Sequence, residues 1–236
     1  MNACKTVGIA LFLVLLAAGN LAADVEELKL QWKSGVPPPF GSYYVDPYKL
    51  DAWDWESGQT GPYIGRLTAI CEDYTHEVDS PWIAKVLNPW VDNELELTRW
   101  YNGNVSETRN LYAQLAYLGG QLLSAYNSNP ADRHTLGVLT YAIWKTTGGA
   151  KASDDISHFS ATVQQEIQAE FDEAQHNYTL SNLQGWRILT PINTGNPCYG
   201  WPSQEFMIVP EPSSILLLGV GLLVIGGLAR RRFRLD

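Results

Sequence analysis

The feature that most constrains this chain is its C-terminal end. Val209-Pro210-Glu211-Pro212-Ser213-Ser214 leads into an uncharged run from Ile215 to Ala229, and Arg230-Arg231-Arg232-Phe233-Arg234-Leu235-Asp236 follows. The run contains only Ile, Leu, Val, Gly and Ala. With Ser213 and Ser214 it spans 213–229, the lower limit of a membrane-crossing helix, roughly 17 residues at about 1.5 Å each. Arg230, Arg231, Arg232 and Arg234 are expected to hold the far end in the cytoplasm, which places the chain before Pro210 on the outer side. Pro210 and Pro212 fix φ and stop a preceding strand from running into the helix.

Those three parts, in that order, resemble the PEP-CTERM sorting signal of Gram-negative bacteria. The resemblance implies recognition by a membrane-embedded exosortase, a cysteine transpeptidase that processes the tail near Pro210-Glu211-Pro212, usually in bacteria that secrete exopolysaccharide. Exosortase and the membrane are then the expected partners, exopolysaccharide a further candidate, and the chain is the enzyme's substrate. A plain single-pass anchor accounts for the helix and the arginines but not for the prolines at the boundary.

The other extremity reads as a secretory signal peptide over 1–23. Lys5 supplies the positive n-region, Val7 to Ala18 the apolar region, and Ala22-Ala23 a small-residue cleavage site before Asp24. Cys4 leaves with this segment, and no lipobox cysteine follows it. The expected organisation is therefore a signal peptide, a secreted globular domain over 24–208, and a sorting signal over 209–236. From Asp24 to Pro210, 187 residues suffice for one domain with a sizeable core. This stretch carries 23 Asp and Glu against 11 Lys and Arg, a net charge of −12. Such a surface repels phosphate backbones, which argues against a nucleic-acid partner.

Cys71 and Cys198 remain in the exported portion. In an oxidising compartment a pair favours a bridge, and closing a loop of about 128 residues stabilises by up to roughly 5 kcal/mol in the chain-entropy model. A buried free thiol at Cys71 is the alternative.

Residues 24–97 are rich in turn formers and aromatics, among them Pro37-Pro38-Pro39, Asp46-Pro47, Gly61-Pro62, Trp32, Tyr43, Tyr44, Trp53 and Trp55. Short strands are expected there, Ile64 to Cys71 above all, with Lys85 to Leu97 a strand or an ordered loop. The period then changes. Leu111, Leu115, Leu118 and Leu122 predict a helix from Glu107 to about Asn127, capped by Asn104 or Ser106. A second helix is expected from Asp132 to Thr147, stopped by Gly148-Gly149. A third runs from Ser157 to about Gln175 with the stripe Phe159, Val163, Ile167 and Phe171, and Asp154 and Asp155 near its N-terminal end. Strand chemistry returns at Gly185 to Ile192 and Gln204 to Val209. The fold class expected is α+β: an antiparallel sandwich or barrel with an inserted block of about three helices.

The most specific internal feature is the pair Thr68-Ala69-Ile70-Cys71-Glu72-Asp73 and Leu139-Thr140-Tyr141-Ala142-Ile143-Trp144, together with the closing segment Gln204-Glu205-Phe206-Met207. It resembles the thioester domain of bacterial surface adhesins, over about residues 40–209. In that family a cysteine at a strand end is linked to a glutamine ahead of an Ala-Ile-Trp-like helical segment, giving an internal thioester that captures nucleophiles covalently. The glutamine is expected four residues before Trp144, where this chain has Thr140. A threonine has no carboxamide from which to lose ammonia, so the resemblance carries the fold and not the chemistry. Gln114 and Gln121 on the preceding helix are the substitutes to be checked.

Nothing else reads as an active site. His76, His134, His158 and His176 form no metal-ligand pair at helical spacing, no Cys-x-x-Cys accompanies them, and surface or capping roles suffice. Nothing selects a histidine to partner Cys71 in nucleophilic catalysis. Glu72-Asp73 and Asp154-Asp155 are adjacent acids whose side chains usually face apart, unlike a glycosidase pair. Asp46, Asp51, Asp54 and Glu56 do not follow an EF-hand order. The expectation is a non-enzymatic surface or matrix protein without a cofactor, a thioester adhesin acting through Cys71 being one alternative. The other is a carbohydrate-binding module whose exposed platform would be Trp53, Trp55 and Trp82, while Trp100, Trp144 and Trp186 belong to the core.

Overall fold

The structure, a computed structural model, describes residues 27–32, 40–41, 43–56, 58–74, 81–192 and 204–209. The expected signal peptide over 1–23, His76, Cys198, the Pro210-Glu211-Pro212 motif, the span expected over 213–229 and Arg230, Arg231, Arg232 and Arg234 lie outside these residues. The described residues fall within the compact unit Glu26–Pro210.

Strands β1 (Glu27–Trp32), β2 (Tyr48–Glu56), β3 (Gln59–Cys71), β4 (Trp82–Leu87), β5 (Arg187–Pro191) and β6 (Phe206–Ile208) close into a barrel in the order β1-β2-β3-β6-β5-β4. Every pairing is antiparallel, and β4 returns to β1 to complete the ring. Closure removes the open edges that would otherwise template aggregation in a sheet protein.

The register separates two faces with a period of two. On one face Ile70, Met207, Ile188 and Leu87 stand in line across β3, β6, β5 and β4, and all four join the apolar cluster built with the helices. The alternate residues fill the barrel. Cys71 lies opposite Phe206, Phe206 opposite Leu189, and Tyr48 opposite Ala69, all buried. One sheet thus serves two cores.

The helical block runs between β4 and β5: α1 (Asp92–Leu95), α2 (Val105–Ser128), α3 (Arg133–Thr147), α4 (Gly149–Ser157), α5 (Ala161–Asn177) and a 3₁₀ turn over Leu180–Leu183. The block of about three helices is thus five among the described residues. The Leu stripe of α2 is confirmed, with Leu115, Leu118 and Leu122 buried. Asn104 is its cap, accepting from the N–H groups of Ser106 at 3.0 Å and Glu107 at 3.2 Å. Helix α3 is the central one: every residue from Leu136 to Trp144 is buried, as for a helix covered on all sides.

Two boundaries differ from the periodicity. Gly148 ends α3, but Gly149 takes φ +53° and turns the chain directly into α4 rather than stopping helical structure. Asp154 and Asp155 therefore belong to α4, and Ser160, accepting from Val163 N–H, caps α5. Phe159 lies ahead of α5. The segment from Lys85 to Leu97 divides into the end of β4 and the short α1.

Helix α2 meets the sheet at Gly119. A Cβ there would lie 2.8 Å from the Trp186 ring and 2.9 Å from Ile70 Cδ1, so only glycine lets the helix sit this close.

Candidate functional site

The end of β3 is where the three quoted segments meet. Three successive carbonyls there each accept a side-chain hydrogen bond from a distant part of the chain. Trp144 Nε1 donates to Cys71 O at 3.1 Å, Thr147 Oγ1 donates to Glu72 O, and Gln204 Nε2 donates to Asp73 O at 2.8 Å. A strand end leaves such carbonyls without ladder partners, and burial makes an unmet acceptor costly. Helix α3 and the approach to β6 supply the donors.

Around this junction sits a buried polar cluster that the sequence reading missed. Glu72, Asp73 and Glu205 are all fully buried. Arg99 forms an ion pair with Asp73, and its backbone N–H donates to Glu205 Oε2 at 2.9 Å. Tyr112 of α2 donates its hydroxyl to Glu205 Oε1, and Thr190 of β5 donates to Glu205 Oε2. Among the described residues neither Glu72 oxygen has a hydrogen-bond partner of normal geometry. Burial first, then repulsion from Glu205, holds the Glu72 carboxyl well above the usual carboxylate range. Burial raises Glu205 as well, against the opposing bonds from Thr190 and Tyr112. Arg99 is lowered by burial despite its acidic neighbours. The one available signal was Glu205 itself, a charge beside the apolar run Phe206-Met207-Ile208.

Cys71 is a free, buried cysteine whose Sγ lies 3.3 Å from Asp73 O. Burial, then the charge of Glu72, pushes its thiol well up, the opposite of an activated nucleophile. The structure contains no bridge at Cys71, and Cys198 lies outside the described residues. Thr140 is buried and donates its hydroxyl to Val45 O at 2.8 Å. Gln121 donates to Glu173 on α5 at 3.4 Å, and Gln114 is half-buried on α2.

Two of the three residues of the expected aromatic platform, Trp55 and Trp82, are corrected. Trp82 is 1% exposed and stacks on Phe206 at 5.6 Å, and Trp55 is 8% exposed. Both sit on strands that close into the barrel, so the turn residues near them do not bring them to the surface. Trp53 is half-buried, with Lys29 Nζ 5.9 Å above its ring and Tyr63 at 5.4 Å beside it. Trp144 and Trp186 are buried, and Trp100 packs against the same core.

Two of the other candidate acids are paired: Asp51 takes Arg66 at 2.9 Å and the Tyr63 hydroxyl at 3.2 Å, and Asp46 pairs with Arg133. His134 pairs with Glu166 at 2.7 Å, and His176 Nδ1 lies 2.6 Å from Asp172 O. Among the described residues no group of three or more His, Cys, Asp or Glu is placed to hold a metal ion. Among them, too, no helix is long and apolar enough to cross a membrane.

The described architecture is thus a closed antiparallel barrel with a helical insertion and a buried acid cluster where the two meet. Residues 209–232 match the PEP-CTERM protein-sorting motif. The chain is accordingly an exported protein with a membrane-linked C-terminal signal for exosortase-dependent sorting. Neither a curated protein nor a solved structure matches the chain.

Proposed function

We propose that this protein is a non-enzymatic module of the cell surface or exopolysaccharide matrix, adhesive or structural in role. It is delivered by its signal peptide, held by the 213–229 span, and processed at Pro210-Glu211-Pro212. The sorting motif carries the reading: it begins at Val209, directly after β6 ends at Ile208, so processing at Pro210-Glu211-Pro212 cuts close to the last strand of the barrel without removing it. What supports a thioester-domain-like body is the resemblance of its Cys71 and Trp144 segments, which lie side by side through the Trp144–Cys71 hydrogen bond. Thr140 stands where the acyl donor belongs, and Cys71 is buried with a raised thiol pKa, which together favour a scaffold that has no covalent capture chemistry.

The test is the intact mass and location of the mature protein in strains with and without exosortase. The expected product lacks the arginine tail only where exosortase is present, and its mass shows no loss of ammonia. An ammonia loss would establish a thioester and replace the scaffold reading. A tail retained in both strains would reduce the C-terminal segment to a plain anchor.

A further inference from the structure

A cleft of about 230 Å³ opens between the Phe40–Tyr43 turn and the helical block, lined by Gly41, Tyr43, Tyr141, Asp155, His158 and Phe159. Of the five side chains, three are Tyr or Phe rings, one is a carboxylate and one is the His158 imidazole. Tyr141 and Phe159 meet edge to face at 4.9 Å and 85°, and Phe159 stacks on Phe40 at 5.1 Å, so both rings are fixed by their neighbours. Tyr43 packs against Tyr74 at 5.1 Å and Trp144 at 5.9 Å. Gly41, at φ +62°, keeps the mouth open: a Cβ there would approach Phe159 Cζ to 2.9 Å and the Tyr141 hydroxyl to 3.1 Å.

We propose that this cleft binds a small organic cation, an alkylated ammonium group. The lining supplies what such a group needs, the half-buried rings of Tyr43 and Phe159 beside a buried Tyr141 for its charge and methyl groups, and the Asp155 carboxylate as counter-ion. Asp155 sits at the end of a short chain in which Tyr74 donates its hydroxyl to the carboxylate and Lys151 Nζ lies 5.4 Å above the Tyr74 ring. The protein therefore already places an ammonium, an aromatic ring and this same acid together beside the cleft. Among the described residues His158 is the one basic group that lines the cleft, and the net charge of −12 from Asp24 to Pro210 raises the local concentration of cations. Burial, then Asp155 and Tyr43, keeps Tyr141 a neutral phenol, so the cleft carries no second counter-charge from it.

The test uses the full chain in a non-ionic detergent, titrated with choline and, separately, with its uncharged isostere 3,3-dimethyl-1-butanol, and read by calorimetry. Saturable choline binding is expected in the millimolar range, with the isostere at least about tenfold weaker because it lacks the cation–π and ion-pair contributions. Asp155→Asn keeps an acceptor for Tyr74 and should weaken choline about tenfold while leaving the isostere unchanged. Phe159→Ala should weaken both. Equal affinity for choline and isostere overturns the proposal, as does an absence of saturation or a folded Asp155→Asn that binds choline as the parent does. The ligand pair needs no variant, so a misfolded substitution leaves the test intact.

Discussion

The indole of Trp144 donates to the backbone carbonyl of Cys71 at 3.1 Å, tying the last turn of the buried helix α3 to the last residue of β3. The two residues are 73 apart in sequence, and their bond joins the helical core to the barrel core. Trp144→Phe keeps most of the apolar bulk and leaves the carbonyl buried without its donor. It should lower unfolding stability by about 1–3 kcal/mol. Urea denaturation followed by far-UV circular dichroism measures this, and a change within about 0.5 kcal/mol would show the bond to be energetically idle.

Helix α2 offers a different measurement at its start. Asn104 Oδ1 accepts from two of the four N–H groups that a helix terminus leaves unmet, and Asn104→Ala removes this shared acceptor. The expected loss is about 1 kcal/mol, with Asn104→Ser restoring most of it. Full stability in the alanine variant would mean that solvent serves this exposed terminus equally well.

How far the sequence foretold these features follows from the range of each interaction. Leu115, Leu118 and Leu122 repeat at helical spacing, and Asn104 caps through residues two and three positions away, so both were readable locally. Barrel closure depends on β4 finding β1 and on β3 finding β6, pairings that local alternation does not encode. Trp55 and Trp82 were misjudged for this reason: their neighbours include turn residues, but closure turns their faces inward. Glu72 and Asp73 read as adjacent acids facing apart and Glu205 as part of a closing strand, because their clustering exists only once Arg99, Tyr112 and Thr190 arrive from other elements.

Two adjacent glycines in α2 provide opposite outcomes from the same substitution. At Gly119 a Cβ meets Trp186 and Ile70 at 2.8 and 2.9 Å, whereas at Gly120 nothing lies within 4 Å. Gly119→Ala should therefore destabilise by about 1–3 kcal/mol through overpacking. Gly120→Ala should stabilise by roughly 0.5–1 kcal/mol, because alanine loses less backbone entropy in a helix. Parallel thermal melts check the pair. If both alanines raise the midpoint, α2 shifts off the sheet without cost and the close approach at Gly119 is not a constraint.

The buried Glu72 and Glu205 carboxyls give the domain a pH dependence with a definite sign. Both are raised in the folded state, by burial above all, relative to an ordinary glutamate near pH 4.5. Above that value the folded protein binds more protons than the unfolded chain, so unfolding stability falls as pH rises from about 4.5 toward the folded values. The urea midpoint should consequently be higher at pH 5 than at pH 8. Self-repulsion among the surface acids changes in the same direction, which makes a difference measurement necessary. Glu72→Gln is neutral at every pH and close in shape to the protonated acid, and it leaves the surface charges untouched. At pH 8 it should be more stable than the parent by on the order of 2 kcal/mol, an advantage that shrinks toward pH 5. Parallel stability curves for parent and variant would mean that Glu72 titrates as it does in the unfolded chain, and that Arg99 neutralises the cluster without a retained proton.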